Sequence, residues 1–421
     1  MTTAEILSLL PAAGAVQFLG KDGPYWRLRV KGAALLLLTL GLYRFWFTTD
    51  VRRYLWSNTE IGGETLEYTG LATELLGGFL IAIAILSPLY TAIAAAALAL
   101  DTAEGAVVAM SFVLLALLGQ FALYRARRYR LTRTVFRGVR FDQHGSAWRY
   151  APLALAWWTT VIVTLGLAYP WAQASLQRFK MRHTSYGDLC GAFEGSGTAL
   201  FVRGAPIWLA IAAPIVIAFF ALGAMVDWDA LSDAAARSDG DAMERFFAGS
   251  PHFALVVTVA IGSIFASIVA ALLLYPLFEA ITLRWWISGL RFGTVSVTSR
   301  LRTGQVYRVY LRFMLYLLLF MLVVLVAGAL CIYVSAAVFG GRHDSALAEL
   351  LASAGTLALY LVVALGASTI YQVVVGLAMW RLGAQSAELT GADALDSVRA
   401  AGGPSSAIGE GLADALGMGG I

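Results

Sequence analysis

Eight apolar stretches, at roughly 32–48, 74–100, 106–124, 150–171, 205–226, 253–283, 309–338 and 351–380, limit what this chain can fold into. Crossing the hydrocarbon core of a bilayer takes about 20 apolar residues. In lipid the backbone amides must bond within their own segment, so these stretches are expected to be helices. Pro88, Pro214 and Pro276 lie inside them and mark expected kinks. Composition points the same way: 59% of residues are hydrophobic and 13% charged, against about 25% charged in a typical soluble domain. That is too little charge to coat a water-soluble body. The fold class read from the sequence is an all-α polytopic membrane protein.

Basic residues orient the stretches. Residues 125–149 carry Arg125, Arg127, Arg128, Arg130, Arg133, Arg137, Arg140 and Arg149, and residues 284–312 carry Arg284, Arg291, Arg300, Arg302, Arg308 and Arg312. The connections after 100, 226 and 338 are poor in them, and the second holds Asp227, Asp229, Asp233, Asp239, Asp241 and Glu244. The rich connections, with the C-terminus, are assigned to the cytoplasm and the poor ones to the outside. Alternation then fails at 32–48 and 150–171, which have basic residues on both flanks, among them Arg29, Lys31, Arg52, Arg149, Arg178, Lys180 and Arg182. About six spanning helices in three hairpins (74–124, 205–283, 309–380), with two membrane-embedded segments that are re-entrant or interfacial, remove the conflict. Eight spanning helices with one rule-breaking loop is the alternative. The first residues contain Glu5 and no basic run, unlike a cleaved signal peptide.

The two awkward segments are copies of each other. Residues 39–70 and 164–195 align without a gap at an offset of 125, with Thr39/Thr164, Leu40/Leu165, Gly41/Gly166, Trp46/Trp171, Arg53/Arg178, Thr59/Thr184, Gly62/Gly187 and Gly70/Gly195 identical. Arg128, Thr134 and Gly145 repeat the spacing of Arg53, Thr59 and Gly70, and Gly293 follows Arg284 as Gly62 follows Arg53. Each unit reads as a helix end, an arginine beside an aromatic, then a short stretch punctuated by Thr and Gly. Thr65, Leu66, Tyr68, Val295 and Val297 favour short strands or extended loops there, on the cytoplasmic side. Copies with one charge pattern share sidedness, which needs an even number of crossings between them, as the six-crossing reading provides. The expected organisation is an N-terminal segment 1–17, membrane unit one 18–124, unit two 125–283, a partial third unit 284–380, and a flexible Gly- and Ala-rich tail 381–421.

The run TLGLYRFW…RRYLWSNT…LEYTG, repeated as TLGLAYPW…QRFKMRHTSYG…FEGSG, resembles the YjgN family of bacterial inner-membrane proteins, domain of unknown function 898. The resemblance extends from about Phe18 to the last apolar stretch. It implies a multi-pass protein of the bacterial inner (plasma) membrane and implies no activity. In the second copy Tyr43-Arg44-Phe45 becomes Ala168-Tyr169-Pro170, so Arg44 is not essential to the unit.

Trp46 with Arg53 and Trp171 with Arg178, with Arg128 and Arg284 at related positions, are the candidate contacts to phosphate, as in an anionic phospholipid headgroup. The same residue types at an interface equally serve anchoring and topology. Glu279 is an ionisable residue within an apolar stretch, and a helix-end pair with Arg284 is its plainer role. Tyr371 and Gln372 suit a polar path or bonds between helices. Cys190, Cys331 and four scattered histidines form no metal or disulfide pattern. No catalytic residues, cofactor, metal or nucleic-acid partner are expected, and the expected partner is the bilayer itself. Two functions lead: transport or lipid handling at the cytoplasmic face, and a scaffold or sensor without catalysis. A lipid-modifying enzyme ranks third, for want of a catalytic cluster.

Overall fold

The computed structural model describes residues 15–99, 104–223, 229, 232, 236, 253–339 and 346–418. Most of the acid-rich connection after 226, and the segments 100–103 and 340–345, lie outside the described residues. The chain begins with β1 (Val16–Phe18), α1 (Asp22–Leu38), α2 (Arg44–Ser57), β2 (Thr59–Ile61), β3 (Glu64–Thr65) and β4 (Glu67–Tyr68). It continues through α3 (Ala72–Ala99), α4 (Glu104–Thr132), β5 (Thr134–Phe136), β6 (Val139–Gln143), α5 (Ala147–Val163), α6 (Tyr169–Arg182), β7 (Thr184–Tyr186) and β8 (Leu189–Phe193). Next come α7 (Gly197–Gly223), α8 (Phe253–Ser288), β9 (Leu290–Phe292), β10 (Val295–Ser299), α9 (Thr303–Phe339) and α10 (Ala346–Tyr371). A π turn, Gln372–Gly376, leads into α11 (Leu377–Ser386), β11 (Ala387–Thr390) and α12 (Ile408–Ala415).

Six helices are long and apolar enough to cross a membrane: Ala72–Ala99, Gly105–Thr132, Gly197–Ala221, Val257–Ser288, Thr303–Val334 and Ser353–Ser386. Between 0% and 28% of their apolar windows is buried inside the chain, so these side chains face outwards in a way that suits lipid and not water.

The stretches 32–48 and 150–171 are not among the six. Each is two helices joined by the same tight turn. The Thr39 hydroxyl donates to Leu35 O (2.8 Å) and accepts from Tyr43 N–H (2.9 Å). Leu40 and Gly41 then take φ of 50° and 91°, and Gly41 N–H returns to Leu36 O at 2.8 Å. This left-handed stop favours glycine, and it caps the last carbonyls of α1. At the offset of 125, Thr164 bonds Thr160 O (2.7 Å) and Ala168 N–H (3.1 Å). Leu165 and Gly166 have φ of 50° and 92°, and Gly166 N–H reaches Val161 O at 2.7 Å. The turns are apolar and bare, with Leu40 94% and Leu165 79% exposed.

The sequence predicts a helical fold with short extended stretches or strands in its loops, and to the mostly helical structure these strands add paired sheets. Strands of two to five residues are too short to be stable alone, so they pair across units. From β4 to β11, chain neighbours pair antiparallel in one eight-stranded sheet, and β1–β2–β3 form another. The two sheets meet at both ends. β3 and β4 are interrupted only at Leu66, whose N–H bonds Thr59 O at 3.0 Å. At the other end Ala15, beside β1, bridges Glu388 of β11. The described strands thus follow one another around a ring whose seam is that single bridge. Its hairpin turns fall at Gly62, Arg137, Gly187 and Gly293, with φ of 57°, 49°, 54° and 55°.

Each helical pair is inserted between neighbouring strands: α1–α2 between β1 and β2, α3–α4 between β4 and β5, and α5–α6 between β6 and β7. The pair α7–α8 lies between β8 and β9, and α9 to α11 between β10 and β11. Residues 198–282 form a compact unit of their own, and residues 1–197 and 283–421 form the other.

The segment 381–421, expected to be a flexible tail, carries β11 and α12. Leu412 and Ala413 of α12 are buried with Ala82, Leu86, Ala122 and Ala126 of α3 and α4. Gly411 and Gly78 bring the two backbones so close that a Cβ on Gly411 would overlap Gly78. The glycines that suggest disorder in the sequence are what permit this close approach.

Candidate functional site

The repeated arginines hold backbone. Arg53 Nη2 donates to Gly70 O and Arg178 Nη2 to Gly195 O, each at 3.1 Å. Trp46 is 39% exposed and stacks on Tyr43, and Trp171 is 37% exposed. Arg284 Nη2 donates to Thr303 Oγ1 at 3.3 Å, and the buried Nε of Arg128 has no hydrogen-bond partner among the described residues. Glu279 is half-buried on α8, in the unit 198–282. None of these seven residues lines the cavity that gathers charge in the rest of the chain.

That cavity, of about 240 Å³, lies among the first helical hairpin, α3, the end of α10 and α12. Arg29, Arg44 and Arg52 enter it from the hairpin, and Ser368 and Gln372 from the last spanning helix. Glu410 and Asp414 enter from α12, four residues apart and so on one helix face. Phe45, Phe47, Val51 and Leu75 supply apolar wall. The π turn begins at Gln372, and such turns are frequent at functional sites.

The three arginines are settled differently. Arg52 is fully buried, pairs with the buried Glu410 carboxylate, and donates to Tyr68 Oη at 3.1 Å. Burial pushes the Arg52 pKa down, and Glu410 with Tyr68 more than offsets this, so the net shift is upward. Arg44 pairs with Asp414 at 2.5 Å and lies over the rings of Phe79 and Phe45. Burial holds the Asp414 carboxyl above the usual range although Arg44 pulls the other way. Arg29, 6% exposed, donates to Tyr25 Oη (2.9 Å) and Gln372 Oε1 (3.2 Å) and lies over the Tyr25 and Phe47 rings. These partners are all neutral. The lining thus holds three guanidiniums against two carboxylates, an excess of positive charge behind an apolar wall.

Guanidiniums in such a lining have the chemistry to bond phosphate or carboxylate oxygens. Among the described residues no group of three His, Cys, Asp or Glu is placed to hold a metal ion. Sequence reasoning missed Arg29, Arg52, Glu410 and Asp414 as site residues. The alternation of Ile408, Glu410, Leu412 and Asp414 is the signal that a low-complexity tail obscured. No curated protein matches the chain, and no solved structure matches it. The family model described as "Bacterial protein of unknown function (DUF898)" matches residues 13–415, and the chain belongs to that family.

Proposed function

We propose that this is a multi-pass protein of the bacterial inner membrane that holds the phosphate head group of an anionic phospholipid in the Arg29–Arg44–Arg52 cavity. Arg29 carries the reading. It is a buried guanidinium with neutral partners, facing a cavity that the chain's own carboxylates do not neutralise. The apolar wall, and the share taken by a helix long enough to span the bilayer, favour a lipid over a free ion. The β ring lies on the cytoplasmic side, where basic residues are concentrated. Helical pairs that leave and rejoin neighbouring strands cross an even number of times, which favours six crossings. In that arrangement 32–48 and 150–171 are re-entrant copies of one repeated unit. Helices of 17 and 14 residues, about 26 and 21 Å long, are short for a core of about 30 Å.

Native mass spectrometry tests the cavity. The wild-type protein should retain phosphatidylglycerol or cardiolipin at activation energies that strip phosphatidylethanolamine. Arg29→Gln should lose that retention several-fold, and Arg29→Lys should lose less, since a guanidinium fork fits phosphate better than an ammonium. The Arg53→Gln/Arg178→Gln double variant should retain lipid like the wild type. Equal retention in wild type and Arg29→Gln would exclude the cavity as the lipid site.

A further inference from the structure

Arg52 precedes Arg53, and Arg127 holds the corresponding place before Arg128. The chain supplies Arg52 with a carboxylate, Glu410. Arg127 receives only neutral acceptors: Nη1 donates to Gln143 Oε1 (2.6 Å) and Thr184 Oγ1 (2.9 Å), and Nη2 lies 3.5 Å from Met181 Sδ. Lys180, half-buried on α6, places its ammonium over the Tyr150 ring at 5.7 Å. Among the described residues no carboxylate pairs with either cation.

Gln143 is fully buried. Its Oε1 takes the Arg127 N–H, which fixes the amide's orientation. The Nε2 that remains faces the Tyr124 hydroxyl, which is already committed as a donor to His144 O, and among the described residues it completes no well-formed hydrogen bond of its own. Asp142, the next residue along β6, projects from the opposite face of the strand, beside Gly402 and 3.6 Å from His144 Nε2. A half-buried guanidinium, an ammonium and a buried amide N–H₂ thus stand together where β6 and β7 meet α4 and α6. All three are donors, and none of their partners is an anion.

We infer that Arg127, Lys180 and Gln143 form a second binding site, for a phosphate-type oxyanion, distinct from the Arg29 cavity. The oxyanion takes the place that Glu410 fills beside Arg52. Its oxygens accept from Gln143 Nε2, the Lys180 ammonium and the Arg127 fork, each a charge-assisted or buried bond of the strong kind. Burial first, and then repulsion by Arg127 and Arg130, lower the Lys180 pKa to about 8. A bound anion reverses that repulsion. The oxyanion is either free phosphate or the phosphate of a lipid head group.

The test uses the full chain, delipidated in dodecyl maltoside, and follows thermal unfolding. Inorganic phosphate and phosphatidylglycerol are added separately, with potassium chloride at matched ionic strength as control. In an Arg29→Gln background, which removes the lipid cavity's contribution, a rise in unfolding temperature with inorganic phosphate assigns a free ion, and a rise with phosphatidylglycerol alone assigns a head group. Lys180→Met keeps the apolar stem and removes the repelled charge. Without added anion this variant should unfold at the wild-type temperature or above it, so a lost response cannot be misfolding. It should need about tenfold more of the active anion for the same rise, the usual size of one charged bond. The response should survive in Arg29→Gln, which separates this site from the lipid cavity. No rise with either additive, or an unchanged rise in Lys180→Met, overturns the site.

Discussion

The two short helical hairpins, α1–α2 and α5–α6, have one backbone and two electrostatic solutions. Both break at Thr-Leu-Gly with matching dihedral angles and hydrogen bonds. Both end in an arginine that holds a glycine carbonyl seventeen residues on. In the first, the charges of Arg44 and Arg52, though not that of Arg29, are settled by a helix from the far end of the chain, through Asp414 and Glu410. In the second, Lys180 and its neighbour Arg127 have no such helix. Short-range sequence therefore specifies the hairpin, and distant sequence decides what its interior can hold.

The largest effect should come from removing the settling charge. Glu410→Ala leaves Arg52 buried without its carboxylate and should cost about 3–5 kcal/mol, whereas an Arg52→Met/Glu410→Met double variant should recover most of it. Arg127→Met, on α4 beside the second hairpin, should cost far less. Denaturant unfolding of the variants measures this, and equal losses at Arg52 and Arg127 would erase the electrostatic contrast. Next, Gly41→Ala and Gly166→Ala each place a side chain in a left-handed turn and should cost about 1–2 kcal/mol. A Cβ at Gly41 would meet no other atom, so the loss there is conformational strain alone. Unequal losses would show that the shared backbone is not equally demanded in the two copies. The smallest effect should be none at all. Single cysteines replacing Ser57 and Arg182, both exposed and 125 residues apart, should label alike with an impermeant maleimide once Cys190 and Cys331 are removed. Labelling of only one from outside intact spheroplasts would put the hairpins on opposite sides and end the six-crossing arrangement.

Much of this was legible locally. Apolar length marked the long helices, and Thr and Gly spacing marked where helices stop: Thr59, Thr134 and Thr184 each open a strand. Each hydroxyl also donates to the carbonyl four residues back. Closure of the ring was not legible, because strands of two to five residues are too short to show a partner's register. The cavity was hidden for two reasons. Arg52 and Arg53 are adjacent in sequence yet about 100° apart around the helix, so the repeat drew attention to Arg53, which holds backbone, and not to Arg52, which faces the cavity. The partner of Arg52 lies 358 residues away, in a segment whose glycines resemble a linker until the helix they meet is known.

The seam between Ala15 and Glu388 gives the ring a birth order. At about 5–20 residues per second, a ribosome needs on the order of 20–70 s to travel from the first of these residues to the second. Throughout that interval β1 presents one unfinished edge to whatever else is emerging. Hairpin after hairpin can be laid down beside its predecessor, but the circle is completed only when nearly all of the helices have been made. The last strand therefore acts as a clasp, and a nascent chain cut short anywhere before it carries an open edge, the kind of surface on which strands of other molecules pair.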